Sequence, residues 1–401
     1  MPHEETLIAT LALSLALAFV FGLVAVRLRL PALVGYLLAG IVLGPYTPGL
    51  EADVHLAPQL AEIGVMLLMF GVGTHFSLRD LMSVKGIALP GAIAQILVAT
   101  ALGAGAAHLW GWSLGAGIVF GLALSVASTV VLLRALEQQG TLESADGRIA
   151  VGWLIVEDLV MVLALVLLPA LAGVLGGEAP AGDGGASVDL WRTLGITLGK
   201  VALFVVLMLV VGARVFPWVL KRVARTNSRE LFTLAAIALA LGVAYGSAKL
   251  FDVSVALGAF FDGMVLNGSE LSHRASTYLQ PMQDIFAALF FVAVGMLFDP
   301  LVLLQHPLEV VAVLAIIVVG KSLAALGIVL LLKRPLSTAL TVSAALAQIG
   351  EFSFILAVMG VNLKLLPPQG QSYILAGALL SITINPLVFK LVSRFRPAPV
   401  G

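Results

Sequence analysis

The sequence predicts an all-α membrane protein that crosses the bilayer many times. Of its 401 residues, 60% are hydrophobic and only 11% are charged, whereas charged residues make up about 25% of ordinary soluble domains. Apolar runs of about 18 residues or more recur along the whole chain, and a helix of that length crosses the ~30 Å hydrocarbon layer. This composition excludes a soluble catalytic domain, a disordered chain and a nucleic-acid-binding protein. The absence of cysteine excludes disulfides, thiolate metal sites and cysteine nucleophiles.

Glycine, proline and charged residues divide the apolar sequence into thirteen predicted transmembrane helices. The first apolar run is too long for a signal peptide, and Glu4 and Glu5 before it have the wrong charge, so we expect it to remain as helix one. In chain order, the predicted helices lie at about 6–26, 31–49, 57–74, 86–107, 112–135, 148–175, 191–220, 230–250, 253–268, 281–298, 307–332, 335–360 and 370–392.

The positive-inside rule predicts the orientation of these helices. Seventeen Lys and Arg residues fall on one side of the predicted membrane, and three, Arg192, Lys249 and Lys364, fall on the other. We therefore expect a cytoplasmic C-terminus and an external N-terminus. The Gly-, Ala- and Pro-rich stretch at 176–189 is then predicted to be a flexible external loop. The residues on the positive side are Arg27, Arg29, Arg79, Lys85, Arg134, Arg148, Arg214, Lys221, Arg222, Arg225, Arg229, Arg274, Lys333, Arg334, Lys390, Arg394 and Arg396.

The helix count also predicts an inverted repeat. If helix seven is a linker, helices one to six and eight to thirteen are offset by seven, so equivalent helices run in opposite directions, as in many secondary transporters. We expect residues 1–401 to form a single transmembrane domain with three parts. These are scaffold helices at about 6–74 and 230–298, a linker helix at about 191–220, and core helices at about 86–175 and 307–392.

Ionisable residues lie where the sequence predicts the middle of the membrane, and three of them are in helices six and eleven. An ionisable group there costs roughly 2.5–3.5 kcal/mol, so each needs a partner, a water-filled cavity or a function. Glu157 and Asp158 are adjacent in helix six and point about 100° apart, so they face different neighbours. Lys321 in helix eleven needs a counter-charge, and Glu157 or Asp158 is the candidate. A purely structural ion pair is the alternative interpretation.

Polar residues also interrupt the middle of helices five and twelve, which are equivalent in the predicted repeat. Helix five contains Ser125, Ser128 and Thr129, and helix twelve contains Gln348 and Glu351. Interruptions at matched positions predict two broken helices that cross at the midplane, leaving carbonyl oxygens and helix ends available for a cation. Taken separately, Ser and Thr in membrane helices are often structural.

Other polar residues are interpreted as structural. Lys200 lies near an end of helix seven, where its ammonium group can reach the membrane surface. Glu62, Asp262 and Asn267 are expected to be helix caps or interfacial residues. No zinc-protease, nucleophile-elbow or phosphate-loop motif is present, and Gly71 with Gly73 lacks the strand that a dinucleotide site requires.

In its motifs the sequence resembles the monovalent cation:proton antiporter-2 family, in its Kef-like and YbaL-like branches. The resemblance covers nearly the whole chain, and the order and spacing of its segments make it specific. The segments that carry it are 33–40 (LVGYLLAG) with Gly44 and Pro45, 61–70 (AEIGVMLLMF), Ser128 with Thr129, 155–159 (IVEDL), 289–296 (LFFVAVGM) and 348–352 (QIGEF).

The resemblance implies a homodimer with a scaffold and a mobile core that exposes one site to either side of the membrane. It implies that Asp158 binds the cation or a proton, with Ser128 and Thr129 at one helix crossing and Gln348 and Glu351 at the other. Glu157 is then the preferred partner of Lys321, because Asp158 must stay free to alternate between its two ligands. Kef-like relatives also have a cytoplasmic nucleotide-binding regulatory domain, which we expect to be absent from this chain.

The residue before the key aspartate varies among relatives, and here it is Glu157. The combination of Glu157 with Lys321 resembles the arrangement in electrogenic sodium/proton exchangers, whereas the surrounding sequence is more similar to the Kef branch. The sequence therefore predicts a secondary antiporter of a bacterial inner membrane that exchanges K⁺ or Na⁺ for protons. The monovalent cation binds at Asp158, and no cofactor, enzymatic reaction or nucleic acid is involved.

Two alternative functions remain at this point. One is a Kef-type ligand-gated potassium efflux pore or a cation channel, although neither a continuous polar pore nor a filter motif is evident. The other is an intramembrane enzyme, although Glu157 and Asp158 face apart and no second catalytic group is evident.

Overall fold

The computed structural model describes residues 3–48, 56–75, 78–142, 144–178, 190–251, 254–267 and 271–394. All regular structure in these ranges is helical and consists of eighteen α-helices and two π-helical turns. Most of the predicted external loop, at 179–189, and the last residues, 395–401, lie outside the described ranges.

The helices follow one another with short connections. The first nine are α1 (His3–Arg27), α2 (Ala32–Leu43), α3 (Ala57–His75), α4 (Leu78–Leu109), α5 (Leu114–Ser125), α6 (Thr129–Gln138), α7 (Ala145–Leu171), α8 (Leu190–Leu207) and α9 (Ala213–Ala224). The next nine are α10 (Arg229–Phe251), α11 (Val255–Asn267), α12 (Ser272–Met296), α13 (Val302–Gln305), α14 (Pro307–Ala315), α15 (Lys321–Leu331), α16 (Leu336–Ala345), α17 (Glu351–Asn362) and α18 (Pro368–Ser393). The π-helical turns, Met208–Gly212 and Ile316–Gly320, join α8 to α9 and α14 to α15.

The prediction of an all-helical, multi-pass membrane protein is confirmed. Within the described residues, eight helical stretches are long and apolar enough to cross a membrane, judged by length and composition. Six further apolar helices are shorter, among them α2, α5 and α17. Each of the thirteen predicted segments contains helix, and the four-residue helix α13 is absent from the sequence-based prediction.

Three helices begin or end several residues away from their predicted limits. Helix α2 ends at Leu43 and not near 49, because Pro45 lacks an N–H group and disfavours helical geometry in the residue before it. Helices α4 and α12 start about eight residues earlier than predicted and contain Pro90 and Pro281. The apolar pattern marks only the membrane-embedded part of such a helix, whereas the helix itself continues into the polar residues before it.

Two groups of helices pack closely. In the first, α3 lies along α11 and α12, and α2 lies along α1 and α12. In the second, α4 lies along α5 and α7, α15 contacts α4 and α16, and α17 contacts α5 and α18. Small residues permit close approach between membrane helices, and Gly40 of α2 accordingly lies against Gly295 of α12.

Two predicted helices are interrupted at their centres. The first is divided into α5 and α6 by residues 126–128, and the second into α16 and α17 by residues 346–350. Each interruption ends one helix and begins another inside the second helix group, so backbone N–H and C=O groups lose their helical partners there.

Candidate functional site

The two interrupted helices meet at Ser128 and Gly350. Ser128 is the N-cap of α6 and has extended backbone geometry, and its hydroxyl accepts a hydrogen bond from the Val131 N–H. Gly350 is the N-cap of α17 and packs directly on the backbone of Ser128, where a Cβ atom would collide with it. The amino ends of α6 and α17 therefore meet at one point.

Gln348 joins the two interruptions. Its side-chain oxygen accepts a hydrogen bond of 2.9 Å from the Ser128 N–H, and its side-chain nitrogen donates to the carbonyl oxygens of Ser128 at 3.2 Å and Ala345 at 3.3 Å. One amide thus forms hydrogen bonds with the backbone at both helix breaks.

Three backbone carbonyl groups at the two breaks each accept a hydrogen bond from a buried side chain. Gln95 of α4 donates to the Ser125 carbonyl at 3.0 Å, Lys321 donates to the Gln348 carbonyl at 2.8 Å, and Asn385 of α18 donates to the Ala344 carbonyl at 3.0 Å. Helix carboxyl ends carry partial negative charge, so amide donors and a cation stabilise them.

Sequence reasoning missed Gln95 and Asn385. Both side chains are buried, and each is an isolated amide in an apolar run, in α4 and α18. Such an amide in a membrane helix is itself a signal, because hydrocarbon offers it no hydrogen-bond partner. The sequence does not reveal which backbone carbonyl each of them satisfies.

The amino ends of the half-helices face carboxylates. Glu157 accepts a hydrogen bond of 2.8 Å from the Ala127 N–H, and Asp158 accepts one of 3.1 Å from the Thr129 hydroxyl. Glu351 is the first residue of α17. All three carboxylates are buried. Helix amino ends carry partial positive charge, so negative groups are favourable there. As predicted, Glu157 and Asp158 have different neighbours.

Lys321 is hydrogen-bonded to a backbone carbonyl and lies close enough to Glu157 for electrostatic attraction. Lys321 is fully buried, directly follows the π-helical turn Ile316–Gly320, and donates its hydrogen bond to a backbone carbonyl. It attracts the Glu157 carboxylate electrostatically, but no ion pair within 4.0 Å joins the two among the described residues. The ammonium group of Lys321 is bound by the Gln348 carbonyl at the helix break, and the Glu157 carboxylate is bound by the Ala127 N–H. The two charges therefore attract each other without direct contact.

Several carboxylate oxygens at the crossing have no donor. Among the described residues, Asp158 Oδ1, Glu157 Oε1 and both oxygens of Glu351 are buried and accept no hydrogen bond. Acceptor oxygens without donors are the ligands that a dehydrated monovalent cation requires. In the described part of the chain no three His, Cys, Asp or Glu side chains are grouped so that they could hold a metal ion.

Asp262 is not the helix cap or interfacial residue that the sequence suggests. It lies within α11, is fully buried, and neither carboxylate oxygen has a hydrogen-bond partner among the described residues. Helix α11 continues to Asn267, which leaves Asp262 more than one turn from its end. Because α11 packs on α3 and α10, Asp262 lies outside the crossing. Glu62 is the sixth residue of α3, and its side chain is exposed.

We predict that Gly350→Ala impairs both stability and transport. The added methyl group overlaps the Ser128 backbone, which must shift, and overpacking of this kind costs about 1–3 kcal/mol. Thermal unfolding and flux measurements check the result. Gly327→Ala on α15 is the matched control, because a Cβ there meets open space, and it should leave both properties unchanged or slightly improved. Equal behaviour of the two variants would refute the close contact.

Comparison with known proteins identifies the family. Residues 15–394 match the family described as sodium/hydrogen exchanger, transmembrane. The putative cation/proton antiporter YbaL of Escherichia coli (strain K12) is 60% identical over 395 residues, which are 98% of this chain and 70% of that protein. K(+) efflux antiporter 4 of Arabidopsis thaliana is 33% identical over 364 residues, which are 90% of this chain and 60% of that protein.

The fold is similar to that of a known antiporter. The structure of the sodium proton antiporter MjNhaP1 from Methanocaldococcus jannaschii superposes with a TM-score of 0.73 over 96% of this chain and 98% of that chain, at 17% identity. This likeness confirms the predicted sodium/proton antiporter-like fold. The family match covers almost the entire chain, and the matched residues include all those of the buried, charged helix crossing. The protein therefore belongs to the transmembrane sodium/hydrogen exchanger family, whose members are transporters and not enzymes.

Proposed function

We propose that the protein is a secondary active antiporter that exchanges K⁺ or Na⁺ for protons at Asp158. The observation that carries this proposal is the position of the Asp158 carboxylate. It is buried where the amino ends of α6 and α17 meet, with one oxygen held by Thr129 and the other without a donor. Such a carboxylate binds either a cation or a proton, and it cannot bind both at once.

The mechanism follows from the cost of burying charge. A carboxylate without a ligand is unfavourable in a dry site, so the mobile core changes its accessible side only after Asp158 has bound a cation or a proton. Thr129 and Ser128 hold the amino end of α6 against the site, and Glu157 supports the same end through Ala127. Lys321 and Gln348 keep the second break in place.

We infer thirteen crossings in an inverted repeat. Eight long stretches, the three shorter helices α2, α3 and α11, and the two broken pairs α5–α6 and α16–α17 account for them. Two contacts support the repeat. Gln95, in the fourth crossing, donates to the carbonyl of Ser125 at the end of α5. Lys321, in the equivalent eleventh crossing, donates to the carbonyl of Gln348 in the break after α16. The packing of the helices in two groups supports the proposed division into scaffold and core, with the linker helix at about 191–220 between them in the chain.

The proposal also covers the assembly of the protein, its membrane and its preferred ion. The family resemblance implies a homodimer. The distribution of Lys and Arg favours a cytoplasmic C-terminus, and the Escherichia coli relative favours a bacterial inner membrane. The name of the plant relative favours potassium, whereas Glu157 combined with buried Lys321 favours sodium. From the resemblance to Kef-like relatives, we infer that a regulatory nucleotide-binding domain is a further partner.

Flux through reconstituted proteoliposomes tests this function. An antiporter gives saturable proton movement when a cation gradient is imposed, and gradients of Na⁺, K⁺, Li⁺ and Rb⁺ in one preparation rank the cations. An ohmic current without coupled proton movement would instead establish a channel and overturn the proposal.

We predict that the cation KM rises as the pH falls through the acidic range. Protons and cations compete for Asp158, so more cation is needed at higher proton concentration, whereas the maximal rate at saturating cation changes much less. The measurement is cation-dependent flux at a series of pH values. A constant KM with a collapsing maximal rate would show a separate pH sensor and contradict the shared site.

A further inference from the structure

Glu351 differs from the other carboxylates of the crossing because neither of its oxygens accepts a hydrogen bond from any described residue, although the side chain is buried. Glu157 and Asp158 each accept one. The Ser128 hydroxyl and the backbone N–H of Glu351 lie near this carboxylate, but neither makes a hydrogen bond of good geometry with it. A buried carboxylate without partners is costly, so a bound cation or proton must compensate it.

The helix crossing places Glu351 beside Asp158. Glu351 follows Gly350, which packs on Ser128, and Asp158 is held by Thr129, the residue after Ser128. The two carboxylates are close enough to repel each other when both are charged. The meeting of two helix amino ends therefore brings a pair of carboxylates to one point, from positions far apart in the sequence.

The remaining charges of the crossing cancel. Glu157 and Lys321 attract each other, and each also has a backbone hydrogen bond. Asp158 and Glu351 therefore share an uncompensated negative charge. Their free oxygens, Asp158 Oδ1 and the two of Glu351, are acceptors without donors, as a cation-binding site requires.

We propose that Glu351 is a second carboxylate ligand of the transported cation, which lies between Asp158 and Glu351, and that each carboxylate takes up a proton when the cation leaves. This inference rests on the proposed antiport at Asp158 and adds a ligand and a coupling ratio to it. With both carboxylates charged, the cation-bound pair carries one net negative charge, whereas the doubly protonated pair is neutral. Each cycle moves one net charge, so the membrane potential drives the exchange.

Proton release on cation binding tests the inference. Calorimetric titration of the purified protein with KCl or NaCl, in two buffers of different ionisation enthalpy, gives the cation affinity and the number of protons released. At a pH where both carboxylates are protonated, the wild type is expected to release two protons per cation. Glu351→Gln keeps the shape and removes one charge, so it should release one proton and bind the cation roughly 10-fold more weakly or worse.

The controls separate this inference from the proposed function. Asp262→Asn removes a buried carboxylate outside the crossing and should leave affinity and proton release at wild-type values. If the wild-type protein releases only one proton per cation, that result alone overturns the inference. The inference also fails if Glu351→Gln has the same cation affinity and releases the same number of protons as the wild type. In both cases antiport at Asp158 stands if Asp158→Asn has lost cation-linked proton release. If Asp158→Asn behaves as wild type, the proposed function itself fails.

A flux measurement supplies a second readout. In proteoliposomes without ion gradients, an imposed membrane potential should drive proton movement by the wild type but not by Glu351→Gln, whose cycle is electroneutral. Equal responses of the two proteins to the potential would contradict a second proton carried by Glu351.

Discussion

Asp158→Asn is expected to reduce cation/proton exchange to the background of protein-free liposomes while the protein remains folded in the membrane. The substitution removes the charge that alternates between cation and proton but keeps nearly the same shape, and the Thr129 hydroxyl can still donate to the remaining oxygen. Stability should hold or rise, because a buried charge is removed. Flux in proteoliposomes and thermal unfolding of the same preparation measure the two effects.

Asp262→Asn is the matched control for this substitution. It makes the same chemical change at a buried carboxylate of α11, away from the helix crossing. We expect it to retain exchange. Ordinary exchange by purified Asp158→Asn would refute the assignment of the cation site, and loss of exchange in both variants would show that the effect is not specific to the crossing.

Lys321→Ala is expected to destabilise the protein by about 3–5 kcal/mol, because removing one partner of a buried charge pair strands the other. Two contributions are lost at once: the hydrogen bond to the Gln348 carbonyl and the attraction to Glu157. Adding Glu157→Gln removes the stranded charge but does not restore the carbonyl hydrogen bond, so the double variant should recover only part of the stability. Unfolding free energies of the two single variants and the double variant measure the coupling.

Lys364→Ala is the matched control for the loss of a lysine. Lys364 forms an ion pair with Glu178 at 2.5 Å, but both side chains are largely exposed, at 67% and 65%. Surface ion pairs contribute only about 0–1 kcal/mol, so this variant should be close to wild type. Additive effects of Lys321→Ala and Glu157→Gln would contradict electrostatic coupling between the two residues.

The positions of the ionisable residues could be predicted from sequence, but their partners could not. Glu157, Asp158 and Lys321 stand out because a charge inside an apolar run is costly wherever the chain folds. The choice of Gln348 as the partner of Lys321 depends on a carbonyl that becomes free only when α16 ends. Nothing local in the sequence shows that this carbonyl, and not a carboxylate, receives the ammonium group.

The sequence is enough to predict the class of the protein, the approximate limits of its helices and the two places where helices break. These properties depend on local composition and periodicity, which a single chain displays directly. The tertiary structure alone decided which groups meet. Ser128 and Gln348 are 220 residues apart and share hydrogen bonds, and Gln95 and Asn385 cap carbonyls that their own helices do not contain. Glu351 lies beside Asp158 because two helix amino ends meet at Gly350, and a contact between distant segments is set by packing, which local pattern does not encode.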